Sequence, residues 1–90
     1  MDFSKRVEIP DTLFAQEVDG EMVLLDMASE NYYGLDEVGT EIWRILNEGK
    51  TLEETVAELL EIYEVDETTL RQDLERFVTH LTEHGLLAPL

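Results

Sequence analysis

Ninety residues make one domain, 1–90, with room for a single modest core and none for an enzyme with its own cofactor domain. The 22 Asp and Glu against 6 Lys and Arg leave a formal charge of −16, which repels phosphate and so argues against nucleic acid and anionic membranes as direct ligands. Cysteine is absent, which removes disulfides and thiolate metal sites and fits a cytoplasmic protein.

Hydrophobic content of 43% fits a folded globule. The longest apolar run, Met22 to Leu25, has four residues, far short of a membrane span. Met1 to Arg6 reads as a mobile or edge-pairing end with no secretory signal. Val7-Glu8-Ile9 alternates like a short strand that Pro10 stops, and its expected place is over a sheet edge.

Leu13 to Val18 and Glu21 to Met27 flank Asp19-Gly20, a strong signal for a two-residue hairpin. A tight turn there pairs Val18 with Glu21, Gln16 with Val23 and Phe14 with Leu25. One face then holds Phe14, Val18, Val23, Leu25 and Met27, the other Leu13, Ala15, Met22 and Leu24. Both are partly apolar, so either helices cover both faces or one strip stays open for a ligand. A turn near Ser29-Glu30 returns the chain so that Asn31 to Leu35 pairs antiparallel to Met22–Ala28. In a simple meander this strand is an edge whose outer backbone groups are unpaired, and Gly34 could seat a bulge.

Asp36 reads as the N-cap of a first helix with Val38, Ile42, Ile45 and Leu46 on one face and Trp43 beside it, stopped by Gly49. Thr51 and Glu54 form a capping box for a second helix with a stripe of Val56, Leu59, Leu60 and Tyr63. Asp66 caps a third helix carrying Leu70, Leu74, Phe77, Val78 and Leu81, which runs to His84 before Gly85 and lets Leu86 fold back on Leu81.

Catalysis has little to work with. No serine sits in a nucleophile elbow, no Asp-Ser-Leu could carry phosphopantetheine, and the acidic clusters lack the alternating oxygens of a calcium loop. His80 and His84 are four apart on one helix, but two ligands alone make a weak metal site, and surface histidines are the simpler reading. No metal and no cofactor are expected. Tyr32, Tyr33, Leu35, Leu70, Leu74 and Phe77 are either core residues or the lining of a groove between the edge strand and the third helix. In the second case strand addition supplies main-chain hydrogen bonds to an extended peptide and side-chain pockets read its sequence.

The strand ending Leu25-Asp26, the polar turn, Tyr32-Tyr33-Gly34-Leu35-Asp36 and the helix opening Val38-Gly39-Thr40 with Ile42-Trp43 together resemble the PqqD-like family, in particular the stand-alone proteins that bind the leader peptide in lasso-peptide biosynthesis. The resemblance spans nearly the whole chain. It implies an α+β, winged-helix-like fold: a three- or four-stranded antiparallel sheet followed by three helices. It further implies a non-catalytic partner for the leader of a ribosomally made precursor, presented to a transglutaminase-like cysteine protease that removes the leader and, beyond it, to an ATP-dependent cyclase. By position the docking strand is Asn31, Tyr32, Tyr33, Gly34 and Leu35, supported by Val23 to Met27, and the facing helix presents Leu70, Asp73, Leu74 and Phe77. Asp73, and with it Asp26 and Glu30, would meet a basic or hydroxyl side chain of the leader.

Two other readings compete. A winged-helix regulator of nucleic acid would need a basic third helix, which offers only Arg71 and Arg76 against Asp73, Glu75 and Glu83. An acidic adaptor or inhibitor of a folded protein would carry a large apolar patch and no affinity for short peptides.

Overall fold

Asp19 and Gly20 both take positive φ, 53° and 85°, the primed turn whose twist suits two antiparallel strands. It joins β1 (Leu13–Val18) to β2 (Glu21–Asp26) in a computed structural model that describes residues 1–90. Val18 pairs with Glu21, Gln16 with Val23 and Phe14 with Leu25, as the turn requires. β3 (Tyr32–Gly34) adds to β2 with Leu25 opposite Tyr32, Leu24 opposite Tyr33 and Val23 opposite Gly34, so Gly34 seats no bulge. The order is β1-β2-β3 and both edges are open.

A fourth strand does not form. Val7 to Ile9 makes a single bridge, Glu8 to Ala88, on the C-terminal tail rather than on the sheet. Pro10 is the reason: it has no amide to give, and its carbonyl accepts from Leu13 N at 3.0 Å, which turns the chain before β1. The first residues are not a loose end either. The carbonyls of Phe3 and Lys5 accept from Glu53 N (2.8 Å) and Leu52 N (2.9 Å), amides of a first helical turn that have no partner within the helix. Phe3 also lies beneath the Arg71 guanidinium, 4.9 Å from ring centroid to Cζ.

Three helices follow: α1 (Glu37–Asn47), α2 (Leu52–Ile62) and α3 (Glu67–Glu83). Asp36 accepts from Gly39 N, Thr51 and Glu54 satisfy each other's backbone, and Asp66 accepts from Thr69 N; each such cap is worth about 1 kcal/mol. α3 ends with Leu86 N on Leu81 O (2.9 Å) and Gly85 N on Thr82 O (3.0 Å). That paired ending needs a left-handed residue, supplied by Gly85 at φ 73°.

The inner face of the sheet contributes Leu24 to a core completed by Trp43, Ile45, Leu46, Leu52, Leu59, Leu74 and Leu81, all essentially inaccessible. Two stripes differ from expectation. Val38 is half exposed, because the first turn of α1 stands beyond the sheet, and in α2 the buried set is Leu52, Thr55, Val56 and Leu59, with Leu60 and Tyr63 only partly covered. No helix is long and apolar enough to cross a membrane.

Candidate docking groove

The polar turn between β2 and β3 is organised by a buried carboxylate. Asp26 accepts from Ser29 Oγ at 2.7 Å and from Ala28 N at 3.2 Å, and its own carbonyl accepts from Glu30 N at 2.8 Å. Hydrogen bonds from the Ser29 and Thr12 side chains, in that order, hold the Asp26 carboxyl below the usual carboxylate range. Asp26 is thus committed to the turn that aims β3.

Asp26 N donates to Asn31 O (2.9 Å) and Leu35 N to Met22 O (2.8 Å). In an antiparallel ladder successive residues alternate between facing the partner and facing away. Asn31, Tyr33 and Leu35 therefore spend their backbone groups on β2, and Tyr32 and Gly34 turn theirs outward. A Cβ placed on Gly34 would meet nothing within 4 Å, so the edge is unobstructed there.

Beside this edge stands α3. Tyr33 projects to the inner side and its phenol oxygen lies 2.7 Å from His80 Nε2. Next to it a depression of about 420 Å³ is floored by Leu35, Ile42 and Phe77 and rimmed by Val38, Asp36 and Asp73. Gly39 permits this closeness: a Cβ there would sit 3.2 Å from Asp36 Oδ1 and 3.3 Å from Phe77 Cε2. Asp73 pairs with Arg76 at 2.6 Å on the exposed rim.

The expected site residues thus separate. Tyr33, Gly34, Leu35, Asp73 and Phe77 line one depression, Asn31 flanks the strand, and Tyr32 points to the outer face, 75% exposed. Leu70 and Leu74 belong to the core, at 7% and 0% exposure, and hold α3 in place from beneath. Asp36, Val38 and Ile42 also line the depression and His80 meets Tyr33, none of which the sequence reading assigned to the site. Val38 and Ile42 lay on a recognised helical stripe, whereas the Tyr33 to His80 contact spans 47 residues and leaves no periodic trace.

The outer face of the sheet carries no helix. Phe14 (61%), Met27 (55%) and Val18 (49%) join Tyr32 as exposed apolar side chains there. Of the two expectations for the sheet, the open strip is the one realised.

Two solved structures share this architecture. One is TbiB1 in complex with the TbiA(beta) leader peptide, 38% identical to this chain, with 92% of this chain and 96% of that one aligned at a TM-score of 0.88. The other is a lasso peptide synthetase B1 complexed with the leader peptide, 28% identical, with 94% of this chain and 100% of that one aligned at 0.87. No curated protein matches the chain by sequence. Residues 21–87, which hold β2, β3 and all three helices, match the family model for coenzyme PQQ synthesis protein D, and the chain accordingly belongs to the PqqD family.

Proposed function

We propose that this protein is a non-catalytic peptide-binding module that recognises the leader of a ribosomally made precursor, probable lasso chemistry being read from its structural neighbours, and delivers it in the cytoplasm to a cysteine leader peptidase and thence to an ATP-dependent cyclase. The observation that carries the reading is the pairing of an open edge at Tyr32 and Gly34 with an apolar depression alongside, in a chain whose two neighbours are B1 proteins bound to leader peptides.

An extended leader would pair its main chain with Tyr32 and Gly34 and set alternate side chains over Leu35, Val38 and Phe77. Asn31 and Asp73 flank that track, and Leu70 and Leu74 support it from the core. The net charge of −16 speeds the approach of a leader carrying Lys or Arg. The exposed apolar outer face favours a folded partner as well, since such a patch marks an interaction surface. The peptidase is the natural occupant, so the adaptor reading describes a second face of the same molecule.

Calorimetric titration with the synthetic leader half of the precursor, alongside its core half, tests the reading. Saturable one-to-one binding of the leader alone, at about 1 μM or tighter (roughly −8 kcal/mol), is expected. Equal affinity for both halves, or no heat with either, would overturn it.

A further inference from the structure

His80 and His84 occupy the last turns of α3, exposed and outside the core. Their ring centroids are 4.3 Å apart, and Tyr33 of β3 reaches in with its oxygen 2.7 Å from His80 Nε2 and its ring 5.6 Å from that of His84. His84 Nδ1 lies 2.8 Å from the carbonyl oxygen of His80. A carbonyl only accepts, so Nδ1 carries the proton and Nε2 keeps its lone pair, the orientation in which protein carbonyls commonly hold metal-ligating imidazoles. No three His, Cys, Asp or Glu side chains converge anywhere in the molecule; the third donor here is a phenol.

Two separations select a geometry. Ligands cis on a square-planar ion with bonds of about 2.0 Å are about 2.8 Å apart, against about 3.3 Å on a tetrahedral one. The Tyr33 oxygen and His80 Nε2 are 2.7 Å apart. Two imidazoles held cis by one ion have centroids about 4.5 Å apart, against about 5.1 Å for a tetrahedral pair. The two histidines stand at 4.3 Å.

We propose that Tyr33, His80 and His84 form a site for a divalent ion of tetragonal nitrogen and oxygen preference, Cu(II) or Ni(II), where β3 meets α3. Tyr33 binds as phenolate and its proton passes to solvent, both imidazoles bind through Nε2, and water completes the square. The surrounding negative charge concentrates the cation. Loading ties the edge strand to the facing helix. The inference is independent of the peptide reading.

Titration of the full chain with Cu(II), followed by visible absorption and electron paramagnetic resonance, is the test. One copper per chain is expected, with two-nitrogen coordination and a phenolate-to-copper charge-transfer band. Tyr33→Phe should lose the band and retain both nitrogens, and the double variant His80→Ala with His84→Ala should bind at least tenfold more weakly. In the unaltered chain, sub-stoichiometric Cu(II) should broaden the amide signals of residues 32–34 and 79–85 first. Undiminished affinity in the double variant, absence of the band, or broadening spread over the acidic surface would overturn the assignment.

Discussion

The sheet has two open edges, and what stands beside each differs. β1 offers six residues paired along their whole length to β2, and because Met27 N donates to Thr12 O, its outward backbone groups fall at Leu13, Ala15 and Glu17. Glu17 on that edge is engaged by Arg44 of α1. β3 offers only three residues, yet Phe77 and Asp73 of α3 line a depression directly beside it and His80 bonds Tyr33. A bound strand needs donors and acceptors along its backbone and pockets for its side chains. The shorter edge has both, so edge length is a poor guide to where a peptide docks.

The largest expected effect tests the wall's foundation. Leu74→Ala removes a fully buried side chain and should cost about 2–5 kcal/mol of stability in denaturant unfolding, with leader affinity per folded molecule nearly unchanged. Phe77→Ala should do the reverse, weakening the leader by about 1–3 kcal/mol, or tenfold to a hundredfold, while stability falls by less than for Leu74→Ala. If Phe77→Ala binds like the parent, the wall is not what distinguishes β3 from β1.

A smaller effect separates the edges themselves. Proline at an outward-facing position removes a free donor without breaking the ladder. Gly34→Pro on β3 should weaken leader binding about tenfold, in line with the loss of one hydrogen bond of about 0.5–1.5 kcal/mol, and Ala15→Pro on β1 should leave it unchanged in the same calorimetric assay. The opposite ranking would move the docking strand to β1.

The smallest effect concerns the turn that aims β3. The Asp26 carboxyl is depressed in the folded state by hydrogen bonds from Ser29 and Thr12. Its stabilisation is therefore fully present above the unfolded carboxyl value of about 3.9 and fades as pH falls below it through the folded value. Unfolding measured at pH 5 and at pH 3 should show a larger acid loss for the parent than for Asp26→Asn, which lacks the titrating group.

Much of the fold was legible because its signals are local. Asp19-Gly20 dictates the hairpin register, Thr51 with Glu54 opens α2, and Gly85 ends α3, each a matter of a few adjacent residues. The site was legible only in outline. A stripe of Leu70, Leu74, Phe77 and Val78 identifies a buried side of α3, but the side's border, where Phe77 emerges, is set by the neighbouring β3 and α1. Val38 fits its stripe equally well and is exposed because no strand continues beneath it. The N-terminal segment was misread as loose because backbone carbonyls, which cap α2 here, leave no mark in side-chain chemistry.

The uncovered outer face also governs how the molecule behaves in bulk. Phe14, Val18, Met27 and Tyr32 present a sticky surface, and copies carrying −16 each are kept apart by mutual repulsion. That repulsion reaches about 30 Å in 0.01 M salt and only about 3 Å in 1 M. Concentrated salt thus removes the barrier while strengthening apolar association, and light scattering should rise with ionic strength, so storage in dilute buffer keeps the protein monodisperse.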